Sequence, residues 1–380
     1  MFVRFISLII CLCLGVSSFA EPANLSPRWV YEFEAPFDKP PMIGQGIIIA
    51  APSSGSVNAL ATGSGRFLWQ LPQGTVWDRG VTLAGDVLIT CNRDSTVSRR
   101  NPLTGAVLWV VDLGDLNCQR DALISDEAIY ISTTYVGPGL SGEPLTGAKL
   151  FKLDKHTGAI HWQFTSETYL LQTASVDSGR VVIGGSYVDQ TFTEDEGGPS
   201  YYYGLDDRTG TLLWRYRSFD GLPKTVLVSG DRVAYVAYQD FIQALDARTG
   251  KPVWRRDTEN WVSALLGTQH YVYFGSANTI VHAWDLKDGA TNWRYNMPGS
   301  SFEYLLVAPR LVGQTIWFVS QKGQIFALSQ SSGELCYTQS TGVVSRIDAD
   351  FQDGVMAIGD QNGKLFVFDL PRSADTICRQ

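Results

Sequence analysis

Apolar residues run along this chain in short blocks of strand length, and each block is closed by a glycine- or aspartate-rich turn. Leu227-Val228-Ser229-Gly230 followed by Asp231-Arg232-Val233-Ala234-Tyr235-Val236-Ala237-Tyr238 predicts a hairpin turning at Ser229–Asp231. Gly85-Asp86 before Val87-Leu88-Ile89 predicts another. The blocks are too apolar for sheets with one wet face, so sheets covered on both sides are expected. No segment keeps a helical period, and the fold class is all-β.

One hairpin recurs. In Ala244-Leu245-Asp246-Ala247-Arg248-Thr249-Gly250-Lys251-Pro252-Val253-Trp254, Asp246 can accept hydrogen bonds from the turn backbone and Gly250 can adopt positive φ. Four residues past the glycine comes an aromatic plate on the next strand. The same offset joins Gly65 to Trp69, Gly105 to Trp109, Gly158 to Trp162 and Gly210 to Trp214. It also joins Gly289 to Trp293 and Gly333 to Tyr337, and successive glycines lie 39 to 53 residues apart. A strand-rich repeat of that period predicts four-stranded blades that must stack on one another to bury their faces.

Arg28-Trp29-Val30-Tyr31-Glu32-Phe33 reads as an outer strand with nothing before it to pair with. Gly363-Lys364-Leu365-Phe366-Val367-Phe368-Asp369 reads as an inner strand with no Gly–Trp strand after it. Pairing them closes the ring and removes an open edge. With Trp29 added to the seven anchored aromatics, an eight-bladed propeller of four-stranded antiparallel blades is expected.

The repeat Ala-x-Asp-x-x-Thr-Gly-x-x-x-Trp resembles the tryptophan-docking repeat of the PQQ-like, quinoprotein-type β-propeller family. Ala244–Trp254 matches it fully. Asp154-Lys155-His156-Thr157-Gly158 and Asp207-Arg208-Thr209-Gly210 match in part, Asp288 replaces Thr before Gly289, and Ser329…Gly333…Tyr337 is the most degraded copy. The resemblance implies that Trp29, Trp69, Trp109, Trp162, Trp214, Trp254, Trp293 and Tyr337 are structural docking residues wedged between blades. It also implies two kinds of function, since the family holds both PQQ-dependent dehydrogenases with calcium and a non-catalytic assembly scaffold of the cell envelope.

Residues 1–20 read as a signal peptide: Arg4, an apolar run from Phe5 to Val16, and small residues at Ser18 and Ala20 ahead of Glu21. The run is too short for a membrane span, and neither Cys11 nor Cys13 follows the small residue that a lipid-anchoring signal needs. Residues 21–380 are expected to form one exported propeller, periplasmic or secreted and monomeric. With 30 basic against 38 acidic side chains the net charge is −8, which argues against a nucleic-acid partner. Cys91, Cys118, Cys336 and Cys378 lie beyond the leader and allow three pairings. Cys91 ends the second strand of one unit and Cys118 begins the next, and the pairing favoured is Cys91–Cys118 with Cys336–Cys378. No Cys-x-x-Cys-His is present for a c-type haem.

About ten residues past each anchor the chain enters an innermost strand, at Lys39, Arg79, Arg120, Gln172, Lys224, Trp261, Glu303 and Arg346. Five of these are basic in an acidic protein, with Asp38, Asp78 and Asp121 beside them. A ring of such positions would focus field on an anionic ligand or acidic partner loop entering a central funnel. The competing reading is a solvated rim paired with those aspartates. Two longer units insert Tyr135–Pro144 and Tyr187–Pro199 side by side on one face, as binding loops or as tolerated surface. His156, His161, His270 and His282 have no metal-ligand spacing, and no catalytic set is legible. The reading is a cofactor-free scaffold for a protein partner at the envelope. The alternative is a PQQ-dependent oxidoreductase using the funnel with PQQ and calcium.

Overall fold

The computed structural model describes residues 24–118, 120–135, 147–186, 200–218, 223, 225–236, 240–298, 309–352, 354–371 and 378. The side chains of 78, 79, 236 and 263 are outside the description. Among the described residues there is no helix, and none is therefore long and apolar enough to cross a membrane.

Seven sheets are four-stranded antiparallel blades, named below by their docking aromatic. The Trp69 blade holds Met42–Ile43, Ile47–Ala50, Val57–Ala61 and Phe67–Leu71. The Trp109 blade holds Val76–Ala84, Val87–Asn92, Thr96–Arg100 and Val107–Asp112. The Trp162 blade holds Leu123–Ile124, Ala128–Ser132, Lys149–Asp154 and Ile160–Thr165. Thr225–Ser229, Arg232–Val236, Phe241–Asp246 and Pro252–Asp257 form the Trp254 blade. Val262–Gly267, Tyr271–Ser276, Ile280–Asp285 and Thr291–Asn296 form the Trp293 blade. Arg310–Val312, Thr315–Val319, Gln324–Ser329 and Leu335–Ser340 form the Tyr337 blade. The Trp29 blade joins Asp350–Gln352, Val355–Gly359 and Lys364–Asp369 to the distant Trp29–Glu32. Trp29 lies opposite Val367 and Glu32 opposite Lys364, the closure expected from the sequence.

The expectation of eight four-stranded blades is corrected here: there are seven, and the remaining sheet has seven strands. Its spine is Arg180–Ser186, Ser200–Asp206 and Leu212–Ser218, with Ser175–Asp177 pairing on Arg180–Ser186. Leu170–Leu171, Thr134–Tyr135 and Leu116–Asn117 then extend the sheet from the end of Arg180–Ser186. The stem of the first insertion, Thr134–Tyr135, pairs with Leu116–Asn117 and with Leu170, and Leu170–Leu171 pairs in turn with Gly185 and Ser186 at the stem of the second, so backbone donors and acceptors past the blade ends are satisfied across units.

Cores lie between neighbouring sheets. Val87, Ile89, Val97 and Trp109 of one blade bury against Ile129, Ile131, Phe151 and Leu153 of the next. Each docking Trp lies against a glycine of the following unit: Trp29 on Gly65, Trp69 on Gly105, Trp109 on Gly158, and Trp162 on Gly210. Trp214 lies on Gly250, Trp254 on Gly289, and Trp293 on Gly333. A Cβ built on Gly250 would fall 2.5 Å from the Trp214 ring, and its φ is +66°, so no other residue fits this turn. Each indole Nε1 donates to the carbonyl three residues before that glycine, from Thr62 (2.8 Å) through Ala247 (2.8 Å) to Gln330 (3.0 Å).

One expectation for the repeat is corrected. The turn acceptor before Gly210 is Asp206, whose Oδ1 takes the Thr209 N–H at 2.8 Å, and not Asp207. Tyr337 packs on Trp317, with ring centroids 5.6 Å apart, against the core shared with Phe351, Met356 and Phe368 of the Trp29 blade. Both expected disulfides are present, Cys91–Cys118 and Cys336–Cys378.

Candidate functional site

First strands of successive sheets lie beside one another. Arg310–Val312 neighbours Asp350–Gln352, then Met42–Ile43, then Val76–Ala84; Ser175–Asp177 neighbours Thr225–Ser229, then Val262–Gly267. Specific bonds stitch this inner ring. Asp350 Oδ2 accepts from the Ile43 N–H at 2.7 Å, Thr82 Oγ1 from the Ala122 N–H at 2.8 Å, and Ser175 Oγ from the Val228 N–H at 3.0 Å. Burial pushes the Asp350 carboxyl above its ordinary pKa, against the opposing pull of the Ile43 N–H and Arg310.

The candidate funnel positions sit where the chain leads into these strands. Lys39 precedes Met42–Ile43, Arg120 precedes Leu123–Ile124, and Gln172 precedes Ser175–Asp177. Trp261 immediately precedes Val262–Gly267, Arg346 precedes Asp350–Gln352, and Arg79 lies inside Val76–Ala84. Lys224 and Glu303 lie outside the described residues. Trp261 is 58 % exposed, Arg346 is exposed, and Lys39, Arg120 and Gln172 are half-buried. Asp38 and Asp121 are exposed beside them. The Thr173 hydroxyl donates to the Asp121 carbonyl at 3.3 Å, which ties the Arg120 and Gln172 lead-ins together.

The stems of the two insertions meet at these same lead-ins. Leu116 lies opposite Tyr135, Thr134 opposite Leu170, and Leu170 opposite Ser186. Tyr135 N–H donates to the Tyr169 carbonyl at 3.0 Å, and Tyr169 N–H to the Ser186 carbonyl at 3.1 Å. The insertions themselves, beyond Tyr135 and Ser186, fall outside the described residues. The described stems themselves, Thr134–Tyr135 and Ser186, lie beside Leu170, next to the Gln172 lead-in. The sequence signal was there: a strand must end on the face where its antiparallel predecessor began.

One polar cluster went unnoticed in the sequence. Asp207 Oδ1 accepts from the Tyr130 hydroxyl at 2.5 Å and from Lys152 Nζ at 2.8 Å, across the Trp162 blade and its neighbour. Burial first, then the Asp207 contact, holds the Tyr130 phenol well above its ordinary pKa, so it stays a neutral donor. The group is sheltered from solvent, and with the Trp162 indole on the Asp207 carbonyl it works as a clamp between sheets. Among the described residues, no three His, Cys, Asp or Glu side chains form a group able to hold a metal ion.

The family model described as outer membrane protein assembly factor BamB matches residues 20–109, 93–221 and 242–373. The chain belongs to the BamB family. A BamB of Legionella pneumophila (strain Paris) is 28% identical over 34% of this chain and 36% of its own length. One from Bordetella pertussis is 23% identical over 80% of this chain and 75% of its own length. Among solved structures, BamB from Moraxella catarrhalis superposes with a TM-score of 0.58 at 21% identity, covering 92% of this chain and 99% of that one. Quinohemoprotein alcohol dehydrogenase from Comamonas testosteroni gives 0.60 at 14% identity, over 92% of this chain and 78% of that one. Likeness at such identities establishes the propeller fold, which BamB proteins share with quinoprotein dehydrogenases, and fold alone does not choose between them.

Proposed function

We propose that this chain is a cofactor-free assembly scaffold of the BamB type, which binds a protein partner in the cell envelope. The observation that carries this reading is the family match across most of the chain. Residues 1–20 act as an export signal in this reading, and the two disulfides suit an oxidising compartment such as the periplasm. The propeller works as a monomer. Its partner surface is the face where the insertion stems meet the Arg120 and Gln172 lead-ins, with Lys39 and Arg346 adding positive charge around the mouth. Trp261, exposed at its own lead-in, belongs to the same ring.

The test is a cross-linked pull-down from envelope extract. Bait with wild-type sequence is compared with bait in which 136–146 and 187–199 are replaced by short Gly-Ser links. Wild type should retain a partner that the double replacement loses at unchanged melting temperature. Dye-linked dehydrogenase activity after reconstitution with PQQ and calcium would overturn the reading.

A further inference from the structure

Outer strands of the propeller expose apolar side chains unequally. Val107–Asp112 exposes three, Val107, Leu108 and Val110, at 48–54 %, and the turn before it adds Leu103 at 57 %. No other outer strand exposes more than two large hydrophobic residues among the described positions. The residue after the docking aromatic is Gln70, Gln163, Arg215, Arg255, Arg294 or Thr338 on six outer strands. On this one it is Val110, and on Trp29–Glu32 it is Val30, which stands alone there as an exposed apolar side chain. Polar and charged residues at such positions deter another chain from pairing with an open edge. Here that protection is missing, and the strand is last in its sheet, with no strand among the described residues paired along its outer side.

A cleft of about 570 Å³ opens beside this edge, lined by Arg93, Asp94, Ser98, Arg100, Val107 and Val110, among others. Val107 lies opposite Arg100 and Val110 opposite Ser98, so the exposed valines and the polar wall share one face. Arg100 donates through Nε to the Thr90 hydroxyl and through Nη1 to the Gly105 carbonyl, both at 3.1 Å. Burial depresses its pKa. Among the described residues Asp94 is the one carboxylate in the wall, and its Oδ1 accepts from the Thr96 N–H and hydroxyl. The cleft thus pairs two guanidinium groups with one carboxylate in a chain of net charge −8.

We propose that the Val107–Asp112 edge and the Arg100 cleft form one docking surface for an extended acidic segment of a partner protein. The segment's backbone pairs with the open edge, its apolar side chains lie on Val107 and Val110, and a carboxylate meets Arg100. This rests on the scaffold reading only for the existence of such a partner, and it uses a different surface from the funnel mouth.

The experiment uses fluorescein-labelled peptides of alternating Val and Glu, with counterparts carrying Gln or Lys in place of Glu, titrated against the purified chain. The Glu peptide should bind at least about tenfold more tightly than the Gln and Lys peptides, as expected for a charge-assisted contact. N-methylation of alternate backbone nitrogens should abolish binding. Arg100→Gln should erase the preference for Glu over Gln, and Val110→Asp, at an exposed position that keeps the fold, should weaken the Glu peptide by a similar factor. Val253→Asp on the Trp254 blade should change nothing. Equal binding of all three peptides, no binding of any, or equal weakening by Val253→Asp overturns the proposal. None of these outcomes bears on the pull-down, so the scaffold reading stands or falls separately.

Discussion

The tryptophans hold the sheets together in two ways at once, and the combination sets what each is worth. Trp214 fills the space that a Cβ on Gly250 would need, and donates to the Ala247 carbonyl from a site only 7 % exposed. Trp214→Ala should therefore cost about 3–5 kcal/mol, the usual range for a buried aromatic. Trp261→Ala, at 58 % exposure, should change stability by less than about 0.5 kcal/mol. Urea melts of the two variants check the order, and the reverse ranking would mean that the docking geometry does not carry the fold. His282 gives a second residue-scale expectation. It is buried against Phe274 and near the Ser276 hydroxyl, and burial, helped by Arg294, lowers its pKa from 6.5 to about 4. The unfolded chain takes up the proton first, so stability should fall as pH drops from about 6.5 toward 4, by a total on the order of 3 kcal/mol. His282→Gln should flatten the melting temperature over that window. The turn aspartates Asp154, Asp206 and Asp246 have lowered pKa values and lose their contribution only at lower pH, so they do not mask the effect.

At the scale of elements, the hairpin repeat was legible because one short window holds the turn chemistry and the aromatic together. The Gly250–Trp254 spacing encodes a local turn, and the stacking on the next unit follows from the shared period. What the sequence concealed was pairing between units. Leu116–Asn117, Thr134–Tyr135 and Leu170–Leu171 are two-residue strands whose partners lie far along the chain, and no periodicity marks so short a segment. The seam shows the same limit. Each other junction has a Trp on a glycine turn, but after Tyr337 the next outer strand is Trp29–Glu32, which no Gly hairpin links to Lys364–Asp369. Besides the apolar core that packs Trp317 and Tyr337 against Phe351, Met356 and Phe368, the seam carries Cys336–Cys378 and the Leu25 N–H on the Ser340 carbonyl at 2.7 Å. Cys378 is exposed, whereas Cys91 and Cys118 are buried. A mild reductant should open Cys336–Cys378 first. Cys336→Ser with Cys378→Ser should cost about 2–4 kcal/mol, and hydrogen exchange should quicken in Trp29–Glu32 and Leu335–Ser340 before any other outer strand. Uniform exchange across all outer strands would show that the disulfide is not what holds this seam.

For the whole molecule, the sequence indicated a ring but not what the ring presents. Equivalent distances past each anchor do place Lys39, Arg120, Gln172, Trp261 and Arg346 at lead-ins to inner strands, because one repeat geometry recurs around the axis. Charge is harder to read, since it depends on which neighbours fold back toward each side chain. Asp38 and Asp121 stand next to Lys39 and Arg120 in the chain, and both are exposed. If the mouth acts as a positive collar, binding of an acidic partner there should weaken steadily with salt and be largely lost near 1 M, where the screening length is about 3 Å. Arg120→Glu with Arg346→Glu should have the same effect at low salt and leave the melting temperature nearly unchanged. Reversing Asp38 and Asp121 to Lys should strengthen binding, since that removes the opposing charge on the same rim. Surface plasmon resonance with the pulled-down partner, run across a salt series, reads all three effects. An affinity that ignores salt and both double variants would leave the ring as a structural rim, with its charges paired among themselves and facing no partner.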